Sequence, residues 1–187
     1  MASMRTTARE FAVAPLAAPT LWVLPALWLL LVTVAVATRP QALLHSAPGN
    51  PVPAWLVMIF GTALAVVGPG LLLHYRRIRV ANGVLSVVAA GLFTHKVAVS
   101  ELDLDKARIV DLDEHAELRP GVRLWGMGLP GFSAGHHLLR NRARAFCLLT
   151  RREKVLVLPR RDGRYLLLSP EQPRALLEHL AATGPGA

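Results

Sequence analysis

Two uncharged apolar stretches, Phe11 to Thr38 and Ala54 to Tyr75, limit what this chain can become more than any other feature. Within the first, "TLWVLPALWLLLVTVAVA" runs from Thr20 to Ala37 and is bounded by Arg39 and Pro40. As a helix it would extend about 27 Å, close to the roughly 30 Å hydrocarbon core of a bilayer. Ten of its residues are Leu or Val; each favours insertion by about 0.3–0.6 kcal/mol, enough to outweigh the disturbance from Pro25. The second stretch, "AWLVMIFGTALAVVGPGLLLHY", ends at Arg76, Arg77 and Arg79. Trp55 and Tyr75 stand where interfacial anchors are expected, and Gly68-Pro69-Gly70 is expected to kink the helix near its end. The pattern predicts a transmembrane hairpin with helices at 20–37 and 54–75, joined by a short loop from Arg39 to Pro53.

Basic residues collect on the cytoplasmic side of spanning helices. Arg5 and Arg9 before the first run, with Arg76, Arg77 and Arg79 after the second, outnumber Arg39 in the loop. The expectation is a multi-pass protein of the cell's inner membrane with both termini cytoplasmic. The alternative is a cleaved signal peptide, because Ala35-Val36-Ala37 has the A-x-A form behind Arg5 and Arg9. The length of the apolar run and the acidic Glu10 weigh against it. Cleavage would still leave a stop-transfer helix and a cytoplasmic C-terminal part.

At 187 residues the chain has room for one domain of ordinary size besides this appendage, and not for a second of enzyme size. Cys147 is its only cysteine, so no intrachain disulfide can form. After Tyr75 the pattern changes to short apolar alternations broken by turn residues. Asn82-Gly83 between "RIRV" and "VLSVV" is a two-residue hairpin signal. Further strands are expected over Leu92–Val99, Ile109–Leu112, near His137, and over Ala143–Thr150, Lys154–Pro159 and Arg164–Ser169, about seven in all. Arg161-Asp162-Gly163 should turn the chain between the last two. A helix follows: Ser169 and Gln172 form a capping box around Pro170, with Pro173 able to delay the start by a turn. Leu176, Leu177 and Leu180 share a face, and Gly184 and Pro185 end it. Residues 1–75 are thus assigned to a tail and hairpin, 76–182 to a mainly-β domain, and 183–187 to a tail.

Gly126, Gly128 and Gly131 have the G-x-G-x-x-G spacing of dinucleotide-binding loops. That fingerprint works only between a parallel strand and the start of a helix, with an acid about twenty residues on for the ribose. Here Pro130 lies inside the motif, "FSAGHHLLRNRA" follows as loop and strand, and Arg151 and Arg152 occupy the region where the acid is wanted. The glycines, with Gly135, are instead expected to let the chain turn tightly beside a sheet where a side chain would clash.

The stretches "IRVANGVLSVVAAGLFTHKVAVSEL" and "GLPGFSAGHHLLRNRARAFCLLTRREKVLVLPRRDGRYLLLSPEQPRALLEHL" resemble the opening hairpin and closing half of membrane-attached bacterial proteins with a PH-like (pleckstrin-homology-like) domain. The resemblance covers roughly residues 76–182. It implies two packed antiparallel sheets with a C-terminal helix closing one end. The acidic segment described next and the doubled His136-His137 depart from the pattern, and the resemblance carries over no ligand residue.

Charge is unevenly spread within this domain. Glu101 to Glu117 holds seven acids against Lys106 and Arg108, net −5, whereas Arg119 to Arg164 holds eleven basic residues against Glu153 and Asp162, net +9. Arg140, Arg142, Arg144, Arg151 and Arg152 form the candidate binding surface. Anionic lipid head groups would gain about 1 kcal/mol per nearby cation; a merely solvated face or topology determinants beside a membrane are the competing explanation. No aromatic residues interleave with the arginines as nucleic-acid stacking would require.

A catalytic or metal constellation does not assemble. His136 and His137 are adjacent and would point to opposite faces of a strand. His95, His115 and His179 lack partners at metal-ligand spacing, and Cys147 in "AFCLL" suits a buried, inert thiol. The acids alternating with Leu102 and Leu104 suit a strand with one wet face. No metal, cofactor or enzymatic activity is expected. The expected role is a membrane-held binding or adaptor module for a protein or peptide partner or for lipid. The alternative is an assembly subunit that self-associates through small residues such as Gly61, Ala65 and Gly68.

Overall fold

A computed structural model describes residues 8–38, 52 and 54–184. Arg5, Arg39 and nearly all of the expected Arg39–Pro53 loop lie outside the described residues. Two helices come first, α1 (Ala18–Thr38) and α2 (Ala54–Leu72), both long and apolar enough to cross a membrane. Almost no residue of either is buried. They pack on each other, and Trp28 Nε1 donates to Thr62 Oγ1 at 3.0 Å. The second helix runs unbroken past Gly68 and Gly70 but stops at Leu72 rather than Tyr75. There the chain turns, with the amides of His74 and Tyr75 donating to Leu71 and Leu72, and Leu73 enters the core of the domain that follows.

Ten strands, one further helix and single 3-10 turns make up the rest of the described chain. Four strands form one sheet in the order β1 (Arg9–Phe11), β2 (Arg77–Ala81), β3 (Val84–Ala89) and β4 (Phe93–Ala98), all antiparallel. Asn82 and Gly83, both at positive φ, make the β2–β3 turn as the Asn-Gly signal predicts. Strand β1 lies before α1 in the chain, in the stretch assigned by sequence to the tail. Its Phe11 pairs with Ile78 and is buried. Beyond it Ala14 N donates to Ser169 O and Val13 bridges Pro170, so residues 9–14 are stitched to both sheets.

The second sheet has six strands: β5 (Arg108–Val110), β6 (Pro120–Leu129), β7 (Phe132–Leu139), β8 (Arg144–Leu149), β9 (Val155–Pro159) and β10 (Tyr165–Leu168), in the order β5-β9-β10-β8-β7-β6. Its pairings are antiparallel except one: β10 slots between β9 and β8 and runs parallel to β8, a departure from the fully antiparallel expectation. The inner faces of the two sheets share one core, from Leu85 and Val87 across to Leu148, Leu158 and Leu166. The last helix, α3 (Pro173–Thr183), adds Leu176 and Leu180 to that core. The outer face of the six-stranded sheet is also apolar. Cys147, Leu149, Val157 and Leu167 there are covered by Leu112, Leu118 and Leu139. Burial on both faces explains why β8 and β9 read as continuous apolar runs rather than alternations.

Three local expectations are corrected. The capping box does not form. Helix α3 begins at Pro173, Gln172 makes no side-chain cap, and Ser169 Oγ donates instead to Arg151 O, because Ser169 and Pro170 are engaged by the N-terminal segment. The acidic stretch is not a strand. Val99–Glu101 and Leu104–Lys106 are single 3-10 turns that carry the chain between the sheets, with Lys106 Nζ bonding Asp103 at 2.7 Å. Finally, Gly126 and Gly128 lie within the ten-residue strand β6, and the turn is made by Pro130-Gly131 at its end. Gly126 faces Gly135 across the β6–β7 pair so closely that a Cβ on either would collide with the opposite backbone. Gly135 also holds a φ of +105°, which a side chain would resist.

Candidate functional site

The bent β6–β7 pair and the end of β8 enclose an open cavity of about 560 Å³ on the outer side of the six-stranded sheet. Leu112 and Leu149 are among its apolar lining, and Arg119 and Arg123 at β6, Arg140 in the β7–β8 turn, and Arg151 and Arg152 just after β8 line it too. Register shifts at Pro120/Val122 and Arg123/Trp125 turn β6 so that Arg123 reaches this side. Its guanidinium lies over Gly128, where an added Cβ would approach it to 3.2 Å. No carboxylate lines the cavity. Asp113, just outside, pairs with Arg119 at 2.8 Å and with Arg152 at 3.2 Å. The described residues include every Asp and Glu of the chain, and among the described residues Arg123, Arg140 and Arg151 have no ion-pair partner. Arg151 donates to Pro170 O at 2.9 Å while its buried Nε has no partner.

His137 closes one wall and is 3 % exposed. Its Nδ1 lies 3.2 Å from Gly135 O and its Nε2 3.0 Å from Ser133 Oγ. A carbonyl only accepts, so Nδ1 carries the proton and the Ser133 hydroxyl donates to Nε2. Burial, with a contribution from Arg123, pushes the imidazole below its ordinary range, although the bond to Gly135 acts the other way. The ring is therefore neutral near pH 7, and the positive charge of the cavity is that of the arginines.

The five sequence-predicted arginines do not form one surface. Arg140, Arg151 and Arg152 line the large cavity. Arg144 lines a smaller one of about 200 Å³ at the mouth between the sheets. Arg142, at positive φ in the β7–β8 turn, is exposed and lines neither. At the smaller mouth His95 stacks on Phe146 at 4.8 Å and meets His136 edge-on at 5.4 Å. Burial lowers both histidines, and the neighbouring arginines lower them further. Arg160 there is already held by Glu101 and Asp162. Arg119 and Arg123 were not singled out by the sequence, and His137 was named there only as half of a doublet expected to point to opposite faces of a strand. For Arg123 the signal that could have found it is the side-chain alternation of β6, and the two register shifts scramble it. Among the described residues no three His, Cys, Asp or Glu side chains group as metal ligands. Cys147 is fully buried and its thiol is pushed up by burial.

Residues 92–183 match the family model of the bacterial PH domain. This span is a bacterial PH-like domain. The match begins at the turn into β4 and ends with α3, so the first three strands extend a sheet whose last strand lies within the matched span. No curated protein and no solved structure matches the chain. A PH domain is in general a binding module, and the arginine-lined cavity is the feature of this one best built to receive something.

Proposed function

We propose that the chain is a two-span membrane protein that presents its PH domain, as a non-catalytic binding module, at the cytoplasmic face of the inner membrane. The supporting observation is β1. This strand precedes the first apolar helix, yet it pairs with β2, which follows the second. A single sheet cannot be split by a bilayer, so both flanks of the helix pair share one side, as an inserted hairpin requires. Arg9, Arg76, Arg77 and Arg79 then lie together on that side, which the distribution of basic residues makes cytoplasmic. Cleavage after Ala37 would remove β1 and leave Ile78 without its partner.

The test uses the native cysteine as its own blank, because Cys147 is buried. In intact cells a membrane-impermeant maleimide should label Asn50→Cys, between the helices, and leave Arg142→Cys unlabelled until the membrane is opened. The reverse pattern overturns the proposal. Self-association has one observation in its favour: Gly61 and Gly68 on α2 have open space where a side chain would be, which leaves small residues available to another helix. Crosslinking in native membranes that gives one dominant self-adduct would support an assembly subunit, and a distinct heterologous adduct would support the adaptor.

A further inference from the structure

We infer that Ser133 is a nucleophile activated by His137, placed to take an acyl group from an ester that enters the cavity beside β6 and β7. This goes beyond the binding-module reading: it concerns one transfer to the chain, needs no turnover, and does not depend on whether the helices span a membrane. Ser133 and His137 lie on the outer side of β7, since Phe132 and Ala134 face the core shared by the two sheets. Both line the cavity of about 560 Å³. They stand four residues apart and reach each other past Gly135, which has no side chain. The Ser133 hydroxyl donates to His137 Nε2 at 3.0 Å, and Nδ1 donates to Gly135 O at 3.2 Å. The far nitrogen thus holds the imidazole in one tautomer, with its lone pair aimed at the serine. A hydroxyl, a base within hydrogen-bond reach and a third group that orients the base are the parts that activate a serine for attack.

The surroundings suit such a step. His137 is buried while Ser133 is half-buried and lines the open cavity, so the base is shielded and the nucleophile is within reach. Burial keeps the imidazole unprotonated and able to accept. Arg123 lies opposite His137 in the β6–β7 pair. Arg140 and Arg151 line the same space, and Arg119 and Arg152 there are balanced by Asp113. Fixed positive charge favours the negative oxygen that develops when a carbonyl is attacked. The same charge opposes an imidazolium, so the proton passes through His137 and does not stay. In the step itself Ser133 Oγ bonds to the carbonyl carbon while its proton moves to His137 Nε2. The C–O bond to the leaving alcohol then breaks, and that oxygen takes the proton from Nε2. Acyl-serine and free alcohol result, and His137 is neutral again. Ser133 also stands in Gly131-Phe132-Ser133-Ala134-Gly135, the G-x-S-x-G spacing of hydrolase nucleophiles. That spacing belongs to a strand-to-helix turn, whereas Ser133 here follows a hairpin turn within a strand. The hydrogen bond to His137, not the spacing, supports the assignment.

The experiment uses the full chain in an uncharged detergent and an alkyl fluorophosphonate, whose phosphorus stands in for the acyl carbon and whose leaving group is fluoride. A single adduct is expected, placed on Ser133 by peptide mass spectrometry, with exposed Ser100 unmodified. Prior unfolding should abolish it. His137→Gln should slow adduct formation about 100-fold or more, with its Tm showing that the variant is folded. The pH profile of the parent decides independently of any variant. An imidazole held below its ordinary value of about 6.5 is already neutral at about pH 7.5, so the rate should be level from there to about pH 9. A serine that ionises without a base would instead react about tenfold faster per pH unit. Absence of an adduct, equal labelling of Ser100 and Ser133, or that tenfold rise per pH unit would each overturn the assignment. The acyl class has its own arm: p-nitrophenyl acetate should release nitrophenolate faster with the parent than with Ser133→Ala, and equal rates would overturn it. None of these outcomes touches the cysteine labelling between the helices, so the two proposals fail separately.

Discussion

Phe11→Ala is the perturbation that most directly examines how the segment before α1 belongs to the domain. Phe11 is 8 % exposed, pairs with Ile78 in β1–β2, and lies 5.5 Å from the His179 ring on α3. Truncating a buried Phe costs about 3–5 kcal/mol through lost transfer energy and the cavity left behind. A three-residue edge strand can relax, which favours the lower end, about 3 kcal/mol. For a domain of this size each kcal/mol lowers Tm by about 4 °C or more, so a fall of roughly 10 °C or more is expected, followed by circular dichroism of the strand signal in the full chain. Glu10→Ala is the control. Its 3.6 Å pair with Arg77 is exposed on both sides, and such pairs contribute about 0–1 kcal/mol. A Phe11→Ala shift no larger than that of Glu10→Ala would refute the reasoning and detach the N-terminal segment from the core.

Gly135→Ala and Gly126→Ala should each destabilise the domain severely and reduce its folded yield, because the added Cβ meets fixed backbone on the partner strand; near-parent Tm values would show that the β6–β7 approach is looser than described. His95, His136 and His137 are all held below their ordinary value by burial. The unfolded chain therefore takes up protons near pH 6.5 while the folded chain does not. Stability should be fully present above about pH 6.5 and be lost as pH falls below it toward the folded-state values. A Tm that stays level from about pH 8 to about pH 5 would contradict this, and His95→Gln should flatten the profile. The Cys147 thiol, buried and held protonated, should react with an aromatic disulfide reagent only at the rate of unfolding; fast reaction in the native chain would place it elsewhere.

Much of the fold was legible in the residues. The two apolar runs, the Asn82-Gly83 and Arg161-Asp162-Gly163 turns, the buried strands around Cys147, Val157 and Leu167, and the apolar face of α3 all follow from local period and turn chemistry. What escaped was set at long range. Arg9-Glu10-Phe11 is too short to announce a strand and becomes one only because β2 offers an unpaired edge. Strand β6 was hidden by its glycines, which local rules assign to turns but which here answer to the backbone of β7. The basic cavity was half visible. Arg140, Arg151 and Arg152 stood in the net charge of their segment, but Arg123 joins them through two register shifts that no alternation reveals.

The placement of β10 has a consequence for how the chain can be made. Strands β8 and β9 follow each other in the chain, yet in the sheet β10 stands between them. Until Tyr165 to Leu168 has been synthesised, two strands with almost no exposed residue face a gap one strand wide, each with a bare edge of amides and carbonyls. Such edges pair readily with whatever strand is nearest, including each other or another copy. The last strand thus works as a key that must arrive before the lock has warped. A chain interrupted anywhere before Tyr165 should collect in aggregates or be degraded, without leaving a smaller folded remnant.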